Sequence, residues 1–159
     1  GGRANPAEGG NIFDHFSVNY VWPNGLRATV ANRQSEGCYN ENADYIMGSK
    51  GQAIIGKGPN PRIVGENPWT FSGQKYDMYQ REHDLLFQAI RKGEVMNDGD
   101  RMCSSTLMGI MGRMAAYTGQ QITWEQALNS QEKLGPATVE WNGKFEPHPL
   151  AQPGKTRFI

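Results

Sequence analysis

The chain has few of the features that cross-link a protein or place it in a membrane. Its 159 residues include two cysteines, Cys38 and Cys103, which lie far apart and without the spacing of a metal site. Reduced thiols are expected, with a single disulfide as the alternative. No apolar run approaches the ~18 residues that a membrane span needs. A core must therefore come from ordinary burial, which a chain of this length can supply.

Neither sign of charge is in excess. Sixteen basic and sixteen acidic side chains cancel, and no cluster of Lys and Arg stands out. The composition therefore offers no footprint for nucleic acid or for an anionic membrane. The histidines at 15, 83 and 148 are scattered, which argues against a histidine-based metal centre.

The common motifs of nucleotide and hydrolytic sites are also missing. There is no Gly-x-Gly-x-x-Gly after a strand, no Walker A loop, no Gly-x-Ser-x-Gly and no His-Glu-x-x-His. The sequence thus shows no phosphate cradle and no familiar catalytic constellation. It opens with GGRANPAEGG, which looks like the middle of a protein, so targeting signals are expected upstream and the compartment is not predicted.

What is present first is strand chemistry. Alternating side chains from Asp14 to Trp22, a Pro23-Asn24-Gly25 turn and the run LRATVANR predict a β-hairpin. ADYIMGSKGQAIIG predicts a second hairpin, and the irregular stretch 57–75 holds two possible edge strands, Arg62–Val64 and Trp69–Phe71. Uncharged residues on the outward face of the first hairpin predict a second cover, either another domain or another subunit; they are Val21, Ala28 and Val30.

Helical patterns follow between residues 76 and 130. The first helix has a predicted core stripe and ends at Gly93; the stripe is Tyr79, His83, Leu86 and Ile90. The second helix begins at Asp98 or Asp100, ends at Gly119 and has a core face of Cys103, Leu107, Ile110 or Met111, Met114 and Tyr117. Its Gly109 and Gly112 predict the close passage of another backbone. Thr123 and Gln126 predict a capping box for a third helix.

Strands followed by helices predict an α+β fold, with an open, mainly antiparallel sheet and two to three helices packed on one face. We expect a flexible lead-in at 1–12, one domain at 13–136 and a Pro-rich tail at 137–159 that starts with one weak strand.

The candidate binding residues lie in the loop after the first hairpin. Amide and guanidinium groups there suit a polyhydroxylated ligand, and binding residues often lie on such loops; the candidates are Arg33, Gln34, Tyr39, Asn40 and Asn42. An ordinary solvated loop is the alternative. His83 is either a pocket residue or a buried core histidine. Asp14 and His15 could meet a site at the sheet edge, although strand-edge polarity explains them as well.

Four segments together carry a resemblance: NIFDHFSVNYVWPNG, RQSEGCYNENADYIMGSKGQAII, REHDLLFQAIRKGE and STLMGIMGRMAAYTGQQITWEQALNS. Over roughly residues 1–136 the chain resembles the C-terminal, dihydrodipicolinate-reductase-like domain of Gfo/Idh/MocA-type oxidoreductases, and most closely the branch found in bacteria that degrade complex glycans. The resemblance implies an N-terminal Rossmann domain that binds NAD or NADP, and a sheet that forms a homodimer or higher homo-oligomer.

The family's catalytic lysine and its Asp-x-x-x-His pair do not occur here. The resemblance therefore carries over no catalytic residue and places the cofactor on a domain outside this chain. It implies pocket lining at residues 33–42, including an aromatic hydroxyl that Tyr39 would supply. The expected function is the substrate-binding and oligomerisation domain of a nicotinamide-dependent oxidoreductase acting on a sugar, a sugar derivative or a cyclitol, inactive alone. The alternatives are part of an NAD-dependent glycosidase, a stand-alone dimerisation or carbohydrate-binding module, and a degenerate homologue.

Overall fold

A computed structural model describes residues 1–5, 7 and 10–159. Strands precede helices in the order β1 (His15–Val21), β2 (Arg27–Arg33), β3 (Asp44–Gly48), β4 (Gly51–Ile55), β5 (Arg62–Gly65), β6 (Trp69–Thr70), α1 (Met78–Lys92), α2 (Gly99–Thr118) and α3 (Trp124–Leu128). The predicted α+β class is confirmed. No helix in the described part of the chain is both long and apolar enough to cross a membrane.

The strands form two antiparallel sheets, β1-β2 and β3-β4-β5-β6. The chain divides accordingly into two compact units, the first made of Gly1–Glu36 with Asn97–Ile159 and the second of Gly37–Met96. Both the predicted lead-in and the predicted tail belong to the first unit, and residues 6, 8 and 9 of that lead-in lie outside the described residues. The weak strand predicted after residue 137 is wrong, because the described tail holds only turns and irregular backbone.

The first hairpin forms as predicted. Trp22 and Leu26 close the turn with a 2.9 Å backbone hydrogen bond, and Gly25 takes a φ of 86° that other residues rarely adopt. The register pairs Val18 with Val30 and Tyr20 with Ala28. Since directly paired residues share a face, Ala28 and Val30 lie on the inner side and only Val21 faces outward. The prediction that all three face outward is therefore wrong for two of them.

The core of the first unit lies where α2 packs against β1 and α3. The rings of Phe13 and Tyr117 stack with centroids 4.1 Å apart, and the Tyr117 hydroxyl accepts a 3.0 Å hydrogen bond from the Phe13 backbone N–H. The buried side chains of this unit are Phe13, Met114, Ala116, Thr118 and Ala127. Cys103, predicted on the core face, is exposed near the start of α2, and both cysteines are free thiols.

Gly112 explains how closely α2 approaches the hairpin. A Cβ added there would lie 2.5 Å from the hydroxyl oxygen of Tyr20, and that hydroxyl donates a 2.8 Å hydrogen bond to the Met108 carbonyl. The neighbour is thus a phenol, and the predicted backbone passage is wrong. At Gly109 an added Cβ would meet nothing within 4 Å, so the prediction also fails there.

The second unit is built on the four-stranded sheet. Its register places Tyr45, Ile54, Arg62 and Thr70 in one row across the strands. Ile54 is the buried member of this row, at 8% exposure. The opposite face carries a row without charge, Ile46, Ala53, Ile63 and Trp69, in which the isoleucines and the tryptophan are 40 to 63% exposed.

Helix α1 is capped at both ends but is largely exposed along its length. The Asp77 carboxylate accepts the Gln80 N–H at the start, and Gly93 closes the end in the left-handed conformation. Within the described residues no other helix or strand lies against it. Tyr79 and Ile90 are more than 60% exposed, so the prediction that they face a core is wrong, and Ala89 is the buried residue.

Candidate functional site

Three side chains surround one carboxylate, that of Glu41 in the loop before β3. Both oxygens of Glu41 are used: Oε1 accepts a 2.7 Å hydrogen bond from the Tyr45 hydroxyl, and Oε2 accepts one of 2.8 Å from the Tyr39 hydroxyl. The Lys57 ammonium lies 2.7 Å from the same Oε2. It also lies over the Tyr45 ring, 5.8 Å from the centroid. We call Tyr39, Glu41, Tyr45 and Lys57 the Glu41 cluster.

The pairing of β3 with β4 brings these residues together. Asp44 pairs with Ile55, so the chain just before β3 runs beside the chain just after β4. At Gly56, with φ of 81°, an added Cβ would collide with the backbone carbonyl of Asn42. The absence of a side chain at Gly56 therefore allows the two segments to approach.

Two further features place the donors. Tyr39, Glu41 and Tyr45 occupy odd-numbered positions, which project to the same side of an extended chain. The Arg62 guanidinium donates a 2.6 Å hydrogen bond to the Lys57 carbonyl and holds the lysine backbone at the end of β4. The cluster is thus set by strand periodicity, by register and by one side-chain tether.

The cluster keeps its charges over a wide pH range. Hydrogen bonds from Lys57, then from Tyr45 and Tyr39, lower the pKa of Glu41 from 4.5 to about 2. The hydrogen bond to Glu41 raises the pKa of Lys57 and also raises the pKa of Tyr39. At neutral pH the cluster therefore holds a carboxylate on Glu41 and an ammonium on Lys57, whose charges offset each other.

The predicted site residues fall into both units. Tyr39 joins the Glu41 cluster, and Asn40 and Asn42 flank Glu41 as exposed residues of the same loop. Arg33 and Gln34 are exposed and belong to the first unit, at and just after the end of β2. The prediction of a polyol-binding role for these residues stays a prediction.

His83 lies on α1 in the second unit and is exposed, so its interpretation as a buried core histidine is wrong. Its Nδ1 lies 2.7 Å from the Tyr79 carbonyl oxygen. Because a carbonyl only accepts, that contact places the proton of a neutral imidazole on Nδ1. Its role as a pocket residue stays a prediction.

Two members of the cluster, Tyr45 and Lys57, lie outside the predicted binding loop, whereas Glu41 lies within its polar run at residues 39–42. Glu41, Tyr45 and Lys57 lie in or beside segments that were predicted correctly as loop and hairpin. The spacing of Tyr39, Glu41 and Tyr45 was the available signal for two of them. Lys57 could be found only by combining the hairpin register with the turn after β4.

A second polar group lies at the start of β1, in the first unit. Asp14 Oδ1 lies 2.7 Å from His15 Nδ1, and both Asp14 oxygens also accept the Ala4 N–H, at 2.9 and 3.2 Å. The bond from Ala4, followed by the contact with His15, lowers the pKa of Asp14. Gly2 forms an isolated antiparallel bridge with His15, on the edge of β1 that is not paired with β2. The contact between Asp14 and His15 therefore also holds the start of the strand.

The first unit also has a cleft of about 160 Å³ between the end of α2, the segment after α3 and the last residues. Arg113 crosses it, held by Glu132 at 2.9 Å and lying 4.4 Å from the centre of the Tyr117 ring. Ser130 donates to the Ile159 carbonyl, and Asn11 donates 2.8 Å to the His148 carbonyl. These bonds join the C-terminal tail to the segment after α3 and to the segment before β1. The cleft is therefore a boundary between packed segments of the first unit.

The described residues do not fit a dinucleotide. A pyrophosphate is best held at a helix N-terminus lined by glycine and free of negative charge. Here α1 starts at Asp77, and α2 starts at Asp98 with Asp100 in its first turn. The third helix has only five residues and carries Glu125 in its first turn. No group of three or more metal-binding side chains occurs among the described residues either.

The Glu41 cluster thus combines hydrogen-bond donors and acceptors at the surface, and each described helix has an acidic residue at its start. No protein-family model, curated protein or solved structure matches this chain.

Proposed function

We propose that this chain is the substrate-binding and oligomerisation part of a nicotinamide-dependent oxidoreductase that acts on a sugar, a sugar derivative or a cyclitol. The observation that carries the proposal is the Glu41 cluster, in which an ammonium and two phenol hydroxyls each lie within 2.8 Å of one carboxylate. Convergent polar groups of this kind suit a ligand rich in hydroxyls. The resemblance to Gfo/Idh/MocA-type C-terminal domains supports the same assignment.

In this proposal the chain binds and orients substrate. The nicotinamide, held by a Rossmann domain outside this chain, supplies the hydride acceptor or donor. Glu41 and Lys57 hold ring hydroxyls and so fix the substrate carbon in position, which is the entropic part of catalysis. The lowered pKa of Glu41 and the raised pKa of Lys57 keep both groups charged during turnover.

The oligomerisation part of the proposal is supported by the uncharged row on the second sheet. Ile46, Ile63 and Trp69 are 63, 40 and 52% exposed, and a contiguous apolar surface of this type marks an interaction site. Light scattering on the purified chain is expected to show a dimer or larger assembly, and Ile46→Lys should shift it to monomer. A monomer at high concentration of the unaltered chain overturns this part.

A stand-alone carbohydrate-binding module is the second candidate. It is favoured by the acidic residues at the start of α1 and α2, which disfavour a pyrophosphate at either helix N-terminus. An NAD-dependent glycosidase is the catalytic alternative. With full-length protein, net NADH supports the oxidoreductase and released aglycone supports the glycosidase, whereas neither product leaves the module.

The direct test uses the purified chain of 159 residues. Titration with a panel of sugars and cyclitols, followed by amide NMR shifts, should reveal binding in the millimolar range or tighter. Addition of NAD or NADP should produce no turnover. Failure of every polyol to bind contradicts the substrate-binding role, and nicotinamide-dependent turnover by this chain alone contradicts the division of labour.

A further inference from the structure

We infer that the Glu41–Lys57 ion pair recognises a vicinal diol, two hydroxyls on adjacent carbons of a saturated ring, while the Tyr39 ring lies against the apolar face of that ring. The inference rests on the proposed function, since it takes the ligand to be a sugar or cyclitol. It goes further by naming the chemical group that is read and the atoms that read it.

The carboxylate has one side left for a ligand. An ionised carboxylate has about four lone-pair positions, two on each oxygen. Oε2 of Glu41 accepts from both Tyr39 and Lys57, whereas Oε1 accepts from Tyr45 alone. The remaining position is therefore on Oε1, where a ligand hydroxyl can donate. The Glu41 side chain is 27% exposed, so that position can be reached from solvent.

The ammonium supplies the complementary donor. Lys57 has three N–H groups, and its protein partners in the cluster are Glu41 and Tyr45. The third N–H can donate to a ligand oxygen, and the side chain is 50% exposed. The ammonium nitrogen lies 2.7 Å from Oε2 of the same carboxylate whose Oε1 has the open position. The donor and the acceptor are therefore close enough to engage two hydroxyls on adjacent ring carbons. One hydroxyl then donates to Glu41 while its neighbour accepts from Lys57.

Tyr39 supplies an apolar surface with a fixed orientation. Its residue is 76% exposed, yet its hydroxyl is tethered to Glu41 at 2.8 Å. A tethered aromatic ring loses little conformational entropy on binding and presents its face to a ligand. The C–H face of a pyranose or cyclitol has the matching character. The combination selects ring compounds over open-chain polyols.

The arrangement also predicts which ligands the site binds weakly or does not prefer. The cluster carries one negative and one positive charge, so it offers no net attraction to an acidic sugar. Moving one hydroxyl away from its neighbour leaves either the Glu41 lone pair or the Lys57 N–H without a partner. An unpaired polar group at a desolvated contact weakens binding strongly.

The test compares two isomeric probes on the unaltered chain and then two variants. Cyclohexane-1,2-diol, as the trans isomer, and cyclohexane-1,4-diol differ only in hydroxyl spacing, and myo-inositol serves as the stronger ligand. We expect myo-inositol to shift the amide signals of residues 39–45 and 57, and the 1,2-diol to compete at least fivefold better than the 1,4-diol. Glu41→Gln and Lys57→Met should each weaken myo-inositol binding tenfold or more.

The matched control is Lys50→Met, because Lys50 forms an exposed 3.8 Å ion pair with Glu66 in the same unit and has no part in the cluster. Its binding should equal that of the unaltered chain. Tyr39→Phe keeps the ring but removes its tether to Glu41, so it should weaken binding, and Tyr39→Ala, which removes the ring as well, should weaken it further. The diol comparison needs no variant, so it decides the question even where a substitution unfolds the loop.

Two negative results have different meanings. If myo-inositol binds while both diols compete equally, or while Glu41→Gln and Lys57→Met bind normally, the diol inference fails and the proposed function survives with another contact surface. If no polyol binds the unaltered chain, the inference and the proposed function fail together.

Discussion

The two units of this chain reach order by different means. Among its described residues the first buries five side chains below a tenth exposure, because α2 covers the inner face of the hairpin. The second buries two, Ile54 and Ala89, and within the described residues no helix lies on its sheet. The first unit therefore depends on packing, whereas the second depends on strand hydrogen bonds and on the polar contacts of its loops. The Glu41 cluster belongs to the unit with less packing, where binding surfaces are commonly found.

The largest effect is expected from Phe13→Ala. Phe13 is 4% exposed and stacked on Tyr117, so its removal leaves a cavity between β1 and α2. We expect a loss of about 3–5 kcal/mol in the free energy of unfolding, measured by urea denaturation. Phe87→Ala in the second unit removes a ring that is 51% exposed and should cost far less. Equal losses in the two variants would erase the contrast between the units.

A smaller loss is expected from Gly112→Ala. The new methyl group would press on the Tyr20 hydroxyl, and overpacking of this kind costs about 1–3 kcal/mol. Gly109→Ala is the matched control, because the space around it is open and alanine favours helix by up to ~1 kcal/mol. Thermal unfolding should move in opposite directions for the two. Tyr20→Phe should relieve part of the Gly112→Ala loss, and an additive double mutant would contradict the contact.

In the second unit, Gly56→Ala should act on the site before it acts on the fold. Its φ of 81° strains any other residue by about 1–2 kcal/mol, and the methyl group would push away the chain at Asn42. We expect the NMR signals of Glu41 and Lys57 to move, with myo-inositol binding weakened, while the first unit keeps its spectrum. Gly25→Ala strains a turn of the first unit to a similar degree and should leave binding unchanged.

The smallest effect concerns pH. Because the pKa of Glu41 is lower in the folded chain than its ordinary 4.5, its contribution to stability is complete above that value and is lost as the pH falls toward about 2. Carbon-detected NMR titration of the Glu41 carboxylate should show a midpoint near 2. The Glu41→Gln variant should lack this part of the acid dependence. A midpoint near 4.5 would mean that the cluster does not hold in solution.

Local chemistry made most of the elements predictable. The alternation of Phe16, Val18 and Tyr20, the end of α1 at Gly93, and the capping box of Thr123 and Gln126 all appear in the structure. These features depend on neighbours within a few residues. The face of Val30 and the neighbour of Gly112 depend on pairing across the fold, and both were predicted wrongly.

The candidate site was predictable in part for the same reason. Tyr39 and its loop follow from composition, because polar residues between strands suggest binding. The role of Lys57 does not, since it needs the register of β3 with β4 and the close approach at Gly56. Distances between side chains come from the fold, and the sequence alone holds them only implicitly.

The division of the chain has a consequence for how the protein is made. The first unit is interrupted, because its chain leaves at Glu36 and returns at Asn97, with the whole second unit between. During synthesis the hairpin emerges from the ribosome well before α2. Phe13 and Tyr20 therefore stay exposed to solvent while the intervening 37–96 segment is translated. The second unit is continuous and can close its own strands in that interval. Bringing α2 back to the hairpin closes a loop that contains the whole 37–96 segment, which costs conformational entropy. The packing of α2 against the hairpin must offset that cost.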